Sequence, residues 1–376
     1  MVNHQVVPHG DGQGRVNYEI VRAARARGVP VELLARSCSE DIARDPGIRV
    51  TRLDVDGVPT QLLRGLVIAR RAARWLRDTA RPGDVVHLNG SIARTPSDVN
   101  AAHFVHGAWL RSPYYPYRWT DGPYAAYQRA YTTLNALLER RAFARARTVV
   151  AVSRRVAEEL RFIGVEPARI RVIYNGVDVD QFHPGPGERA RWGLPSDVTL
   201  FLFAGNIRTS LKNLDGVLKA LTRLPGVHLA VAGALPGSPF PAMARTLGVA
   251  DRTHFLGKVE DMPTLMRSAD ALVFPSRTDT FGLALLEAMA SGLPVVTAAT
   301  AGGAEILGEG GFVLPDPEDV DALTRAMGKL AADPMLRARL GAAAREAALA
   351  HGWDAMTRDY LALYEAMAAA APASLR

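Results

Sequence analysis

The sequence has one cysteine, no apolar run long enough to span a bilayer, and no lysine in its first 180 residues. Because only Cys38 is present, an intramolecular disulfide framework and a cysteine-rich metal site are excluded. A membrane-spanning helix needs roughly 18 or more consecutive apolar residues, and no stretch approaches that length. The N-terminus has no basic start followed by an apolar run, so a cytoplasmic location is expected.

Charge is distributed unevenly along the chain. Residues 1–180 carry 27 arginines and 18 acidic residues, a formal charge of +9, whereas the remaining residues sum to −2. A basic first half indicates an anionic partner. Nucleic acid is not expected to be that partner, because no recognition-helix, zinc-finger or RNA-binding motif is visible.

The stretch Gln61 to Arg81 concentrates this positive charge and predicts an amphipathic helix. Its arginines are Arg64, Arg70, Arg71, Arg74, Arg77 and Arg81. One interpretation is a helix that docks on an anionic membrane surface, which would place the protein at the inner face of the cell membrane. The other is a helix whose apolar side faces the core and whose arginines are solvated.

The length of 376 residues predicts two domains, and 48% hydrophobic with 22% charged residues is ordinary for globular proteins. Strand signals alternate with helical patterns in both halves, which predicts two doubly wound parallel sheets. The first set is Gln5–Pro8, Val29–Leu34, Val85–Asn89, Ala102–His106 and Thr148–Val152. The second set is Leu200–Ala204, Val227–Ala232, Thr253–Leu256, Ala271–Phe274 and Val295–Thr297. A turn-rich segment at 173–187 separates the halves, giving domains 1–180 and 181–355.

The most informative segment runs from residue 270 to residue 306. An apolar strand ends near Pro275, a loop holds Asp279, and a helix opens at about Gly282 and stops before Gly292. That helix is apolar all round except for Glu287, and an unpaired buried carboxylate is costly. Glu287 therefore either has a hidden basic partner or faces a wet cleft where it binds a ligand.

The start of this helix predicts an anion site. The backbone N–H groups near Phe281, Gly282 and Leu283 lack helical partners and are suited to a phosphate. Carboxylates such as Asp279 and Glu287 accept hydrogen bonds from hydroxyls. Together these groups suit a phosphorylated sugar.

Three other positions are candidates for chemistry. Gly12 and Gly14, in the turn 10–14 after the first strand, suit close approach to a phosphate, although a tight turn without a ligand fits equally. His106 is expected at the end of a strand, where α/β folds bind ligands, but His87, His103 and a purely structural histidine fit as well. Arg208 and Lys212 follow the strand that ends at Gly205, and two cations there suit a diphosphate.

Taken together, these motifs resemble glycosyltransferase family 4, whose members have the GT-B fold. The family pattern is Glu, seven residues, Glu, with Phe-Gly inside; here Asp279 replaces the first Glu, and Glu287 is the second. His106-Gly107, the glycine turn at 10–14 and the order of the motifs also match. Asn206 and Asn213 stand where the family usually has Arg and Gly.

The resemblance implies a retaining, metal-independent transfer of a hexosyl unit from a GDP- or UDP-hexose to a glycan or lipid-linked glycan, in cell-surface polysaccharide assembly. It implies an active site between the two domains and a final helix, 356–376, that packs back on the first. The implied catalytic residues are His106, Asp279, Lys212 and Arg208. The implied donor-binding residues also include Gly12, Gly14, Gly205, Gly233, Lys258, Val259, Phe281, Gly282, Leu283 and Glu287.

Two alternatives and one exclusion accompany this interpretation. A sugar-nucleotide epimerase would form product without an acceptor, and a non-catalytic binding module would bind the nucleotide-sugar without turnover. Asp54-Val-Asp56 and Asp178-Val-Asp180 have the Asp-x-Asp pattern of another transferase fold, but their context is unsuitable. No metal and no cofactor are therefore expected.

Overall fold

The computed structural model describes residues 1–8 and 12–369. Contacts divide the chain into two units, one formed by Met1–Asn175 together with the chain from Trp353 onward, and one formed by Gly176–Gly352. We call them unit 1 and unit 2. Each is built around a parallel sheet with helices on its faces. Gly10 and Asp11 of the glycine turn lie outside the described residues.

Unit 1 contains, within the described residues, a parallel sheet of seven strands in the order β3-β2-β1-β4-β5-β6-β7. The strands are β1 (Val2–Val6), β2 (Val31–Cys38), β3 (Ile48–Arg52), β4 (His87–Asn89), β5 (Ser97–Ala102), β6 (Ala146–Ala151) and β7 (Ile170–Val172). The helices between them are α1 (Gly12–Ala26), α2 (Glu40–Arg44), α3 (Gln61–Thr79), α4 (His106–Trp109), α5 (Pro123–Arg145) and α6 (Arg154–Phe162).

Unit 2 contains a parallel sheet of six described strands in the order β10-β9-β8-β11-β12-β13. The strands are β8 (Thr199–Ala204), β9 (Val227–Ala232), β10 (Thr253–Gly257), β11 (Ala271–Phe274), β12 (Val295–Ala298) and β13 (Gly311–Leu314). The helices are α7 (Leu214–Leu221), α8 (Phe240–Thr246), α9 (Met262–Arg267), α10 (Leu283–Ala290), α11 (Val320–Ala332) and α12 (Pro334–Leu349). The central strand β8 is an unbroken apolar run with both faces covered, as parallel strands are.

The last helix, α13 (Trp353–Ala369), belongs to unit 1 and packs on α1. Met356 and Tyr360 join the core formed by Val16 and Ile20 of α1 with apolar residues of β5 and β6. The hydroxyl of Tyr364 lies 2.5 Å from Nδ1 of the buried His87 on β4. The first sheet is therefore covered on this face by segments from both ends of the chain.

The structure corrects one predicted strand and adds three. The signal at Ala102–His106 is wrong, because β5 occupies Ser97–Ala102 and His106 begins α4. The signal failed because β5 contains polar residues that are buried and bonded: Asp98 accepts from the Val86 N–H, and Asn100 donates to the Gly90 carbonyl. The added strands β3, β7 and β13 all lie at sheet edges, where burial on one side only removes the continuous apolar run.

The helix expected from about Arg15 starts earlier. Its described part begins at Gly12, so Gly12 and Gly14 lie in the first turn of α1 rather than in the loop before it. Gly14 is buried and its carbonyl accepts from the Val7 N–H at 3.3 Å, whereas Gly12 is exposed.

Candidate active site

A lysine–aspartate pair lies at the carboxyl edge of the second sheet. Because β8 and β11 are adjacent and parallel, the loops that follow them, residues 205–213 and 275–282, meet at one edge. Lys212 Nζ lies 2.5 Å from Asp279 Oδ2 and 5.6 Å from the centre of the Phe274 ring. Both charged side chains are partly exposed, at 22% and 16%, so the pair is reachable by a ligand.

Arg277 fastens these two loops together, and the sequence reasoning missed it. Its guanidinium donates two 2.7 Å hydrogen bonds to Asp215 and also binds Glu318. It donates to the Ser210 carbonyl, and its own N–H binds the Leu211 carbonyl at 2.9 Å. Burial opposes the charge, but the two carboxylates outweigh that effect and raise the pKa of Arg277 above its ordinary value.

Asn213 explains one departure from the family pattern. It has φ +60° and is, among the described residues, the non-glycine residue with positive φ. Asparagine tolerates this left-handed conformation better than most residues, so it can replace the usual glycine. Its side chain also caps α7 by accepting from the Gly216 N–H, and it donates to the Pro317 carbonyl at 2.5 Å.

The start of α10 is held open beside Asp279. Gly282 precedes the helix with φ +87°, and no side chain caps the helix. A Cβ at Gly282 would lie 3.2 Å from the Phe274 ring and 3.7 Å from the Asp279 carboxyl carbon. The Asp279 N–H donates to the Thr300 carbonyl, the Gly302 N–H donates to the Asp279 carbonyl, and the Gly303 N–H donates to the Phe281 carbonyl. These backbone bonds fix the loop in place. The helix N-terminus is therefore a rigid candidate anion site.

The expected all-round burial of α10 is confirmed except along one strip. Leu285, Leu286, Ala288, Met289 and Ala290 are buried. Leu283, Ala284 and Glu287 are half-buried, and they share one helix face because they lie three and four positions apart. Glu287 therefore lies on the less buried side of α10, on the face that also carries Leu283 of the first helical turn.

Glycines let neighbouring strand ends approach closely. Gly205 donates to the Ala232 carbonyl at 3.0 Å, and Gly233 donates to the Gly257 carbonyl at 2.9 Å. A Cβ at Gly233 would lie only 2.4 Å from the Gly205 carbonyl oxygen, so a side chain cannot be accommodated there. This edge consequently presents backbone rather than side chains to a ligand.

The two expected diphosphate cations are placed differently. Lys212 joins Asp279, whereas Arg208 is exposed and its Nε donates to the Pro236 carbonyl at 3.1 Å, in the loop after β9. Lys258 is exposed and Val259 is half-buried in the loop after β10. Arg208 is thereby brought towards the Gly233 loop.

In unit 1, His106 is held by a buried glutamate that the sequence did not reveal. Glu139 of α5 is 1% exposed, and its Oε2 lies 2.8 Å from His106 Nδ1 and accepts the His106 N–H at 2.9 Å. Its Oε1 accepts the Gly107 N–H at 2.7 Å. Because a carboxylate only accepts, Nδ1 carries the ring proton, and Nε2 is left for other contacts. The 33 positions between partners leave no local signal in the sequence.

A cavity of about 300 Å³ adjoins His106 within unit 1. Its lining comes from β2, α3, the loop after β4, α4 and α5. The lining residues are Arg36, Gln61, Leu62, Arg64, Gly65, Leu66, Ile68, Ser91, Ile92, His106, Tyr131, Leu134, Asn135 and Leu138. We call it the α3–α5 cavity.

The aromatic residues after His106 pack on one another. Edge-to-face contacts run from Trp109 to Tyr115, Tyr117 and Tyr124, with ring centroids 5.5–5.9 Å apart. Tyr124 is 66% exposed, so the far end of this row reaches solvent. The row is both a packing element and an accessible surface.

The described part of the chain offers neither a metal-binding cluster nor a membrane-spanning helix. In residues 1–8 and 12–369, no group of three or more His, Cys, Asp or Glu side chains is arranged to hold a metal ion. Across the same residues, no helix is both long and apolar enough to cross a membrane.

Comparison with known proteins identifies relatives along nearly the whole chain. The model for "Glycosyltransferase Family 4" matches residues 10–181, and that for "Glycosyl transferases group 1" matches residues 186–347. A D-inositol 3-phosphate glycosyltransferase of Xylanimonas cellulosilytica is 33% identical over 94% of this chain and 92% of its own. One of Mycobacterium tuberculosis is also 33% identical, over 94% of this chain and 79% of its own.

Solved structures share the fold. Sucrose-phosphate synthase from Thermosynechococcus elongatus has a TM-score of 0.81 at 20% identity, covering 98% of both chains. WaaG, a glycosyltransferase involved in lipopolysaccharide biosynthesis, has a TM-score of 0.75 at 22% identity, covering 96% of this chain and 97% of its own. Anabaena HepE in complex with UDP and glucose has a TM-score of 0.69 at 17% identity, covering 97% of this chain and 98% of its own. With two doubly wound parallel sheets of GT-B type and these relatives, the chain belongs to glycosyltransferase family 4.

Proposed function

We propose that this glycosyltransferase moves a hexosyl unit from a nucleotide-sugar to an acceptor hydroxyl with retention of configuration. The observation that carries the proposal is the Lys212–Asp279 pair beside the uncapped start of α10. The Phe281 N–H is already bonded to Asp279 Oδ1 at 3.2 Å, so the donors offered here are the backbone N–H groups of Gly282 and Leu283. With the lysine and the carboxylate at the same sheet edge, they suit a sugar joined to a diphosphate. The UDP and glucose in the HepE complex are consistent with a donor of this kind.

The site residues take the following roles in this proposal. Lys212 and the N–H groups at Gly282 and Leu283 hold the diphosphate and stabilise the charge that develops as the bond to the sugar breaks. Asp279 accepts hydrogen bonds from hydroxyls of the transferred sugar. Glu287, on the open face of α10, accepts from the donor ribose. Gly205, Gly233, Lys258 and Val259 border the nucleotide with backbone contacts, and Arg208 adds positive charge near them.

In this proposal the configuration at the anomeric carbon is retained without a nucleophile from the protein. Asp279 is engaged by Lys212 at 2.5 Å and fixed by its loop, so it suits binding better than attack on the anomeric carbon. The leaving phosphate instead takes the proton of the acceptor hydroxyl on the same face of the sugar. Lys212 keeps that phosphate close to the sugar during transfer.

Paired substitutions test the site. Asp279→Asn, Lys212→Met and Glu287→Gln are each expected to lower the rate of transfer from the nucleotide-sugar more than about tenfold, since each removes a charge-assisted hydrogen bond. Lys219→Met and Asp251→Asn change the same charges at exposed positions of unit 2 and should leave the rate unchanged. Near-normal activity of Asp279→Asn together with Glu287→Gln would refute the site assignment. An inverted anomeric configuration in the product, read by NMR, would refute the mechanism.

A donor screen separates this function from its alternatives. Thermal shifts with UDP, GDP and their hexose conjugates identify the base, because a ligand that binds the native state raises its stability. An epimerase would convert the donor with no acceptor present, and a binding module would show a thermal shift but no turnover. For the transferase, we expect turnover only when an acceptor hydroxyl is supplied, apart from slow transfer to water.

We also propose that the acceptor belongs to cell-surface glycan assembly and that unit 1 contacts an anionic membrane through α3. Ile68, Ala69, Ala72 and Leu76 of α3 are buried in the core, so its apolar side is already occupied. The exposed side carries Arg70, Arg71, Arg74 and Arg77. Contact with a membrane would therefore be chiefly electrostatic.

A further inference from the structure

We propose that one face of α12 binds a second copy of this chain, as an antiparallel helix pair that crosses at Ala342. The proposal concerns unit 2 alone and goes beyond the transfer reaction. Its basis is a set of exposed side chains on one side of α12 (Pro334–Leu349), which we call the outer face. The residues of the outer face are Met335, Ala338, Arg339, Ala342, Glu346 and Leu349.

The outer face carries the large apolar side chains that unit 2 exposes most. Met335 is 78% exposed and Leu349 is 52% exposed, compared with 41% for Val313 elsewhere in the unit. Met335 and Leu349 lie at opposite ends of α12, nearly four helical turns apart, so both project from the same side of the helix. Apolar side chains in water are stabilised when a second apolar surface covers them.

Small residues lie between these two ends. Ala338 and Ala342 are exposed, and they are three and seven positions after Met335, which places them on the same face. Alanine has no side-chain atom beyond Cβ, so a second helix can approach closely along this strip. The apolar ends and the small centre together form a shallow surface that suits a helix.

The outer face has a fixed shape because α12 is held firmly on unit 2. Arg345 donates to the Phe182 carbonyl at 2.8 Å and to the Ala290 carbonyl at 2.7 Å. On the inward side, a Cβ at Gly341 would lie 2.2 Å from the Gly292 carbonyl oxygen, so the helix touches the backbone below it. A preformed surface loses little conformational freedom when it binds.

The spacing of the outer face complements a reversed copy of itself. Met335 and Leu349 are equally far from Ala342 on opposite sides, so a two-fold axis at Ala342 places each against the other residue of the second copy. Arg339 and Glu346 lie three positions before and four positions after Ala342, and the same axis brings each guanidinium beside a carboxylate of the second copy. Because a two-fold contact is reciprocal, each of these pairs occurs twice. A parallel copy would instead align like charges.

The two charged side chains of the outer face are available for this contact. Arg339 and Glu346 are exposed, and among the residues that the structure describes neither forms an ion pair. By contrast, Arg337 and Arg345 of the same helix are turned to backbone carbonyls. Opposite charges across an interface fix its orientation. A single helix pair covers less area than a standard interface of roughly 1,600 Å², so we expect a weak dimer with Kd of about 10–100 μM.

Sedimentation velocity of the full chain, at concentrations from roughly 5 to 500 μM, tests the interface. Arg339→Glu and Glu346→Arg each place like charges in both interfacial pairs, so each should raise Kd at least about tenfold. The double variant Arg339→Glu/Glu346→Arg restores opposite charges and should return Kd to within about threefold of the wild type. Arg245→Glu, at an exposed position on α8, is the matched control and should dimerise normally.

The charge variants separate this interface from any other. A wild-type chain that stays monomeric at every concentration refutes the proposal. Dimerisation that neither single variant weakens, or that the double variant fails to restore, refutes it as well. The melting temperatures of all variants should match the wild type, because exposed substitutions change folding stability little.

Cysteine cross-linking locates the two-fold axis independently of charge. In a Cys38→Ser background, Ala342→Cys places two thiols across the axis, and a short bismaleimide that alkylates one thiol at each end should yield a covalent dimer. Ala242→Cys, at an exposed position on α8, should yield at least about tenfold less. Adding Arg339→Glu to the Ala342→Cys variant should lower its yield. Equal cross-linking at the two cysteine positions would overturn the proposed axis.

Discussion

Arg277 shows how a single side chain can set the geometry of a binding edge. It lies two residues before Asp279 and binds carboxylates that are 62 and 41 positions away in sequence. Its side chain is 11% exposed and that of Asp215 is 18% exposed, so this pair is largely shielded from water, whereas Glu318 is exposed. The distance between Lys212 and Asp279 is therefore supported by an ion-pair network directly beneath it.

Removing Arg277 should cost more than removing an exposed arginine. We expect Arg277→Met to lower the free energy of unfolding by about 3–5 kcal/mol, because the largely buried Asp215 loses the partner that offsets its burial. The exposed pair of Arg223 and Asp321 is the matched control, and Arg223→Met should cost no more than about 1 kcal/mol. Urea denaturation followed by tryptophan fluorescence measures both. Equal losses in the two variants would contradict the structural role of Arg277.

Because Glu139 bonds His106 and the Gly107 N–H, we expect it to affect transfer through His106 and not by contact with the substrate. In Glu139→Gln an amide N–H would face His106 Nδ1 or a backbone N–H, so the histidine tautomer or the α4 contacts must change. Loss of such a bond costs about 1–3 kcal/mol, or roughly ten- to hundredfold in rate. We expect kcat for transfer to fall by that factor while UDP affinity stays constant. The exposed Glu158→Gln is the control.

The pH profile separates positioning from simple destabilisation. If Glu139 sets the tautomer, the variant should change the pH dependence of kcat as well as its maximum. A uniform loss at all pH values, accompanied by a lower melting temperature, would show that Glu139 only supports the fold.

At the scale of elements, α13 covers a polar patch of the first sheet. His87 of β4 is 2% exposed and stacks on Tyr360 with ring centroids 5.8 Å apart, while Tyr364 binds its Nδ1. Burial, followed by the charge of the Met1 ammonium group and by His103, lowers the pKa of His87 to about 3. The imidazole is thus kept neutral beneath the helix.

This burial predicts acid sensitivity of unit 1. In the unfolded chain His87 has a pKa of about 6.5, whereas in the folded chain its pKa is about 3, so the folded chain binds this proton only at much lower pH. The contribution of neutral His87 to the free energy of unfolding is therefore fully present above pH 6.5. It falls by about 1.4 kcal/mol per pH unit as the pH drops from 6.5 towards 3. Urea midpoints measured from pH 7.5 to 4.5 should show this slope reduced in His87→Gln. His183→Gln, at an exposed position, should keep the wild-type slope.

Sequence patterns predicted the elements that depend on local periodicity. The alternation of buried strands with helices, the apolar α10 and the amphipathic α3 are all visible within windows of about 20 residues. Edge strands such as β3 and β7 were missed because half of their residues face solvent. Pairs such as Lys212 with Asp279, or His106 with Glu139, are separated by 67 and 33 positions, and only the folded chain brings them together.

Reasoning about buried charge could have found one missed residue. The argument that singled out Glu287 in an apolar helix applies equally to Arg277, which lies three positions after the apolar strand β11. It could not have named Asp215 and Glu318 as the partners. Glu139 gave no such signal, because it lies beside Arg140 and Arg141 in a helix with mixed polarity.

At the scale of the whole molecule, the net positive charge lies in the first half of the sequence. Residues 1–180 have a formal charge of +9 with arginine as their basic residue, and the rest of the chain is slightly acidic. Arginine stays protonated at any physiological pH. The attraction of unit 1 for anionic surfaces should therefore depend on salt but hardly on pH.

Vesicle binding tests this asymmetry. Each basic residue near an anionic membrane contributes about 1 kcal/mol, so Arg70→Gln/Arg74→Gln/Arg77→Gln should weaken sedimentation with phosphatidylglycerol vesicles by roughly a hundredfold at low salt. A triple variant of Arg44, Arg49 and Arg171 to Gln removes the same charge at exposed positions elsewhere in unit 1. If both triple variants lose affinity equally, α3 is not the contact surface. If neither does, the membrane proposal fails.

Unit 1 is built from two segments of the chain that are far apart in sequence, and this affects how it folds during synthesis on the ribosome. Unit 2 is one uninterrupted segment and can fold as soon as Gly352 has left the exit tunnel. Unit 1 must wait, because Val16, Ile20, Val99 and Ala101 stay uncovered until Met356 and Tyr360 are translated. During most of translation the nascent chain therefore exposes these apolar residues of unit 1. Exposed apolar surfaces of this kind are bound by chaperones.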